Sequence, residues 1–290
     1  MRDAATRSQH AGSLSDFPKL LSHRGRGFGH AEATREAVTS ALRSGIRFLE
    51  LDTRVDAGGV IHARHNVRVR TKFGMTRVRD LTADALSKCG VATLADLLLI
   101  VAELLDQSQS LCLDIKDFGF EREHVALVDH FGLGRQTIFV SWIPQALTAL
   151  HAIAPSRPLF LSHINLSFLP LGAKLVERLL GDHEVRLLDY VLLGPQAVAH
   201  PLQHPVGFQH AVFARDLPER LMRCLAASGG GICVPTYCVC DELDDWCVRH
   251  SLQQWVYVAN DLATYQQLCR RDAIQVIFSD DPLGIATHKS

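Results

Sequence analysis

A few short segments carry side chains that could do chemistry. Ser22-His23-Arg24-Gly25 closes one apolar run, and Leu49-Glu50-Leu51-Asp52 closes a second. In an extended strand alternate side chains share a face, so Glu50 and Asp52 point one way and Leu49 and Leu51 the other. Leu111-Cys112-Leu113-Asp114-Ile115-Lys116 repeats the device, with Asp114 and Lys116 on a common face. His65 ends a short run after the second segment.

Glu50, Asp52 and Asp114 offer three hard oxygen ligands. Such a set suits one divalent cation, Mg²⁺ or Ca²⁺ with Mn²⁺ as a further option, rather than zinc. A single carboxylate at a strand end is ordinarily a helix cap or half of a salt bridge. Three on same-face spacing beside a cationic partner read instead as a metal site. His23 and His65 are the candidates for general acid and base. The chain has fifteen histidines, so most of them must be structural or exposed. What selects these two is the pairing of His23 with Arg24 and of both with the carboxylates. His62 falls one step off the face that carries His65. Metal, cations and paired imidazoles together are what phosphate-ester chemistry requires.

These residues need a scaffold that brings strand ends together. The pattern of apolar strand, polar tip and amphipathic helix recurs along the chain. Strands are expected at 20–23, 47–52, 110–116, 137–142, 159–163, either 190–194 or 231–235, 254–260 and 275–280. Helices are expected at 34–44, ending at Gly45, and at 93–105, opened by the N-cap Thr93. Strands alternating with helices imply a parallel sheet, and about eight units in roughly 270 residues favour an α/β fold of the (β/α)₈ TIM-barrel type. Active sites of such barrels form at the C-terminal ends of the strands. Other polar residues at those ends are Ser141, Trp142, His163, Asn260, Asp280 and Asp281. The turn signal Asp56-Ala57-Gly58-Gly59 adds a short extra strand at 60–65, after the second barrel strand. Residues 1–18 read as a flexible tail and 19–290 as one domain.

Bulk properties narrow the class. Of 290 residues 47% are hydrophobic and 21% charged, enough apolar material for a large core. A net charge of −1 argues against a protein built around attraction to nucleic acid. The first 18 residues hold no apolar stretch of signal-peptide type, and the apolar run at 95–105 is too short to span a bilayer. Eight scattered cysteines suggest a reducing compartment, hence the cytoplasm. Cys233, Cys238, Cys240 and Cys247 with His250 match no common zinc spacing. Gly25-Arg26-Gly27-Phe28-Gly29 is similar to a dinucleotide loop but lacks its last glycine, since His30 stands there. Arg64, Arg68, Arg70, Lys72, Arg77 and Arg79 form a basic stretch. It is either a solvated loop or a rim making weak contact with a phospholipid surface. Residues 200–210 form a long loop, either a lid or a surface connection.

The ordered set of motifs resembles the glycerophosphodiester phosphodiesterase family, among the phospholipase C-like TIM-barrel phosphodiesterases. The segments in question are His23-Arg24-Gly25, Glu50-Leu51-Asp52, His65-Asn66, Asp114-Ile115-Lys116 and Ser279-Asp280-Asp281-Pro282, with Val258-Ala259-Asn260 before the last. They are similar, in the same order, to the family's His-Arg-Gly, Glu-x-Asp, His-Asp, Glu-x-Lys and Thr-Asp-x-Pro signatures. The resemblance implies a metal-dependent hydrolase that splits a glycerophosphodiester into an alcohol and a phosphomonoester. Glu50, Asp52 and Asp114 would hold the metal, His23 and His65 would exchange protons, and Arg24 and Lys116 would hold phosphate oxygens. Three positions depart from the family: Asp114 replaces a glutamate, Asn66 an aspartate, and Ala31-Glu32-Ala33-Thr34 a Pro-Glu-Asn-Thr. Asp114 and the basic stretch keep open a lysophospholipase D or sphingomyelinase D-like reaction on a lysophospholipid. Asn66 and Ala33 keep open a non-catalytic barrel that binds phosphorylated ligands.

Overall fold

The computed structural model describes residues 14–165, 211–213 and 217–287. In chain order the strands are β1 (Leu20–Ser22), β2 (Phe48–Val55), β3 (Ile61–Ala63), β4 (Arg68–Thr71), β5 (Gly74–Arg77), β6 (Ser110–Ile115), β7 (Thr137–Ser141), β8 (Leu159–Asn165), β9 (Ala211–Phe213), β10 (Gly231–Pro235), β11 (Gln253–Tyr257) and β12 (Ile274–Ser279). Eight of them close a parallel ring in the order β1, β2, β6, β7, β8, β10, β11 and β12, and β12 pairs back to β1. Helices stand between most neighbours, which completes the expected (β/α)₈ barrel.

Alternation along each strand builds two cores. Leu49, Leu51, Leu111 and Leu113 face outward into the layer shared with the helices. The opposite faces fill the lumen with Leu21, Cys112, Val140, Phe160, Cys233, Trp255, Val276 and Phe278. Trp255 lies against Phe160, ring centroids 4.0 Å apart. Glu50, Asp52 and Asp114 belong to this inward face, above the apolar plug. The helix Arg35–Arg43 is capped by Thr34, whose Oγ1 accepts from Ala37 N–H at 3.2 Å. Thr93 caps Leu94–Leu104 in the same way, accepting from Asp96 N–H at 3.1 Å.

The structure adjusts several expectations. Of the two alternatives for one barrel strand, 231–235 is used; 190–194 and the loop 200–210 lie outside the described residues. The extra strand is present as β3, antiparallel to the end of β2. The basic stretch is not a plain loop: it contains the β4–β5 hairpin. Alternation in Arg68-Val69-Arg70 buries Val69, which joins Val78, Leu86 and Val91 in a separate small core. Packed chain begins before residue 19, since Leu14 and Phe17 are buried in the outer core. All eight cysteines are free. Cys233 fills the lumen and Cys238 and Cys247 the outer core, so these thiols act as small apolar groups.

Candidate active site

Strand register gathers the chemistry. Asp52 on β2 is the direct partner of Asp114 on β6, so parallel neighbours deliver both carboxylates to one spot. Ser22, at the end of β1, pairs with Leu49 on one side and Ser279 on the other. That register sets the following residue, His23, between Glu50 and Asp280. Ligand oxygens of Glu50, Asp52 and Asp114 lie within 4.8 Å of one another, and all three residues are buried.

The turn after β1 is bent to serve this cluster. Arg24 sits in the left-handed region (φ 59°), which directs its backbone N–H to Glu50 Oε2 at 2.8 Å. Its guanidinium Nε approaches Asp52 Oδ2 at 3.0 Å, and Nη1 reaches Glu32 at 3.5 Å. Lys116 Nζ lies 3.0 Å from Asp52 Oδ1 and 2.5 Å from Asp114 Oδ2. The two cations expected to hold phosphate therefore stand among the proposed metal ligands, each within reach of Asp52.

Three buried carboxylates face only two fixed cations, and the ionisation of each group shows the shortfall. Burial, aided by Asp52 and Asp114, pushes the Glu50 carboxyl well above the usual range. Burial also raises Asp114, with Lys116 pulling in the opposite direction. For Asp52 burial is outweighed by Lys116, His65, Arg24 and His23, which hold it below the usual range. Lys116 is raised despite burial, because Asp114 and Asp52 stabilise its charge. Asp114 Oδ1 is buried and accepts no hydrogen bond from the described residues. An oxygen-rich cluster with surplus negative charge and an orphaned carboxylate oxygen fits a hard divalent cation.

His23 and His65 both stand at this cluster. His23 Nε2 is 4.0 Å from Glu50 Oε2, and Nδ1 is 2.9 Å from Asp280 Oδ1. Arg64 N–H donates to Asp52 O at 2.9 Å, which locks the chain beside the carboxylates just before His65. His65 Nδ1 meets Asn66 Oδ1 at 3.0 Å, a contact with an uncharged partner. Burial holds the His65 imidazole down to about 4; Asp52 opposes this, and Lys116 and Arg24 add to it. Arg54 ties the framework together: it donates to His65 O at 3.0 Å, to Lys116 O at 3.4 Å and to Asp117 Oδ1 at 2.6 Å.

Sequence reasoning gave no role to the partner of His23. Asp280 holds it, and Arg26 bridges Asp280 (2.9 Å) to Glu32. Asn260 positions Asp280 by accepting its backbone N–H at 2.8 Å. The available signals were that Asn260 and Asp280 close two expected strands and fall in the Val258-Ala259-Asn260 and Ser279-Asp280-Asp281-Pro282 motifs. The glycine loop has a packing purpose: a Cβ on Gly27 (φ +92°) would fall 2.2 Å from Pro282 Cδ. Ala33, where the family has asparagine, also has a positive φ of 54°, a conformation asparagine tolerates better than alanine. Two other strand-end residues, Ser141 and Asp281, make structural contacts. Ser141 Oγ donates to Ile115 O at 2.7 Å, and Asp281 accepts from Gly284 N–H at 3.0 Å in the last helix.

Comparison with solved structures agrees with this architecture. A protein from Galdieria sulphuraria assigned as a glycerophosphodiester phosphodiesterase superposes with a TM-score of 0.65 at 17% identity, covering 92% of this chain and 96% of its own. The chain has the fold of the glycerophosphodiester phosphodiesterases. A member from Parabacteroides distasonis gives 0.63 at 15% identity, covering 93% and 95%. An Oleispira antarctica phosphodiesterase, solved with its product sn-glycerol-3-phosphate, gives 0.61 at 16%, covering 96% and 100%. No family model matches the sequence, and no curated protein matches it. At such identities the shared feature is the fold, and the chemistry must be argued from the side chains.

Proposed function

We propose that this protein is a metal-dependent phosphoric diester hydrolase acting on glycerophosphodiester-type substrates. The observation that carries the reading is the convergence of Glu50, Asp52 and Asp114 with Arg24, Lys116, His23 and His65 at one end of the barrel. The shared fold supports it, as does the glycerol 3-phosphate bound by the Oleispira relative.

Glu50, Asp52 and Asp114 would hold the cation, Mg²⁺, Ca²⁺ or Mn²⁺, which when bound supplies charge neutralisation at the phosphoryl oxygens. Arg24 and Lys116 add cationic donors at the same place. His65, held neutral in its buried setting, is suited to accept the proton of the attacking water or substrate hydroxyl. His23, with Nδ1 engaged by Asp280, is suited to donate a proton to the leaving alkoxide. With water as nucleophile a new P–O bond forms as the bond to the alcohol breaks, giving an alcohol and a phosphomonoester; a substrate hydroxyl would instead give the alcohol and a cyclic phosphate, which water then opens to the phosphomonoester. The eight free cysteines favour a reducing, cytoplasmic setting. Among the described residues no helix is long and apolar enough to cross a membrane.

The test is phosphorus NMR on glycerophosphocholine with Mg²⁺, Ca²⁺ or Mn²⁺. Glycerol 3-phosphate should appear with at least one cation, and it should vanish on chelation and in a folded Glu50→Gln variant. Full turnover in that variant, or turnover unaffected by chelator, would overturn the reading.

A further inference from the structure

The β4–β5 hairpin plays no part in the chemistry above, and its surface is costly in water. From Arg64 to Arg79 the chain holds six cations and no carboxylate, in a protein whose net charge is −1. Register places Arg68 directly opposite Arg77, and Arg70 opposite Met75. Val69, on the other face, is buried in the small core, so Arg68, Arg70, Met75 and Arg77 share the outward face. Like charges directly opposite on paired strands are destabilising. Among the described residues Arg70, Lys72 and Arg77 have no ion-pair partner.

The tip is apolar and tightly made. Phe73 is 86% exposed and Met75 54%. Lys72 Nζ sits 4.9 Å from the Phe73 ring centroid. Thr71 Oγ1 accepts from Phe73 N–H at 3.1 Å and donates to Gly74 O at 3.0 Å, so the turn presents the ring rather than burying it. Both ends of the hairpin are rooted at the barrel mouth. Its first strand starts three residues after His65, a span of about 10 Å at most. Just beyond its second strand Leu81 O accepts from Ala57 N–H at 2.9 Å, in the turn between β2 and β3.

We propose that this hairpin seats the mouth of the barrel on a membrane surface rich in anionic lipid. Arg70, Lys72 and Arg77 meet the headgroups, and Phe73 and Met75 enter the headgroup–acyl boundary. Anionic headgroups relieve the Arg68–Arg77 repulsion, and the bilayer covers an aromatic ring that water solvates poorly. Nucleic acid would answer the charge equally well, but it offers no apolar layer for Met75. The docking stands independently of the proposed reaction. Only its corollary, that the phosphodiester consumed is a lipid such as a lysophospholipid, rests on that reading.

The experiment is vesicle flotation of the full chain with phosphatidylcholine vesicles, with and without phosphatidylglycerol. A duplex DNA and a single-stranded RNA are tested alongside. Binding should require the anionic lipid and fall steeply with added salt. At about 1 kcal/mol per cation near such a surface, Arg70→Gln with Lys72→Gln should weaken it about 25-fold. Phe73→Ser should weaken it about tenfold more, the loss expected for an inserted aromatic side chain. Hydrolysis of glycerophosphocholine by these variants should match the parent. Equal binding to neutral vesicles, undiminished binding by the variants, or binding to nucleic acid with vesicles ignored would each overturn the proposal. Vesicle binding without any turnover would leave the docking intact and count against the reaction instead.

Discussion

Two histidine–carboxylate pairs in this barrel use the same groups at nearly the same distance in different settings. His62 Nε2 meets Asp56 Oδ2 at 3.1 Å, with both side chains fully buried. His23 Nδ1 meets Asp280 Oδ1 at 2.9 Å, with the side chains 16% and 29% exposed. Asp56 also accepts from Gly58 and Val60 N–H at 2.8 and 2.9 Å, so the sealed pair pins the turn between β2 and β3. Asp280 instead shares its carboxylate with Arg26 and leaves the far nitrogen of His23 facing Glu50. A histidine–carboxylate contact is thus no evidence of catalysis. Access to a cluster of opposing charge, with one ring nitrogen left for a reactant, is what separates the two.

The comparison breaks most directly at His23. His23→Ala should lower kcat about 10²- to 10⁴-fold, the range for losing a general acid or base, while leaving the thermal midpoint nearly unchanged. His62→Ala should do the reverse. It leaves a buried carboxylate short of one partner, and the two backbone donors that remain keep the cost at about 2–3 kcal/mol. Urea unfolding measures that loss, and activity per folded molecule should stay within about twofold of the parent. If His62→Ala instead abolished activity in folded protein, the contrast would fail.

Asp280→Asn sharpens the point, because it keeps the shape and removes the charge. It should cost about tenfold in kcat, as for other carboxylates that orient a working imidazole. The loss should fall on kcat with KM and the unfolding midpoint at pH 7 little changed, which separates an orienting role from a purely structural one. The smallest effect is on stability. Burial tends to raise the Asp280 carboxyl, but His23 and Arg26 outweigh it and hold it below the usual range. A carboxyl lowered in this way stabilises the fold above its unfolded value of about 4, and that contribution disappears as pH falls toward the folded value. The gap in urea midpoint between the parent and Asp280→Asn should be constant from about pH 7 to 5 and close below about 4. After solvent screening it should stay under about 1 kcal/mol. A gap that widened with acid would show the pair to be misassigned.

Much of this site was legible in the chain, for local reasons. Leu49-Glu50-Leu51-Asp52 states its faces by alternation, and Thr34 and Thr93 mark helix starts that the structure keeps. The hairpin was missed because charge dominated the reading of 64–79, although Val67-Arg68-Val69-Arg70 already alternates as a half-buried strand would. The separation of His62 from His65 was suggested by strand phase alone. That His62 is sealed against Asp56 depends on packing six residues away, which phase does not reveal.

What the sequence determined by itself is the inventory and its facing: a strand–helix repeat, three carboxylates on inward faces, and cations and imidazoles at strand ends. These follow from periodicity, which is a property of neighbouring residues. Tertiary structure decided the partnerships. Barrel closure brings Asp280 to His23 across 257 residues of chain, and register sets Asp52 level with Asp114 across 62. A one-residue slip of β6 against β2 would turn Asp114 away from the lumen and disperse the cluster. Long-range register is set by the packing of the whole ring, so it became visible only when the ring was closed.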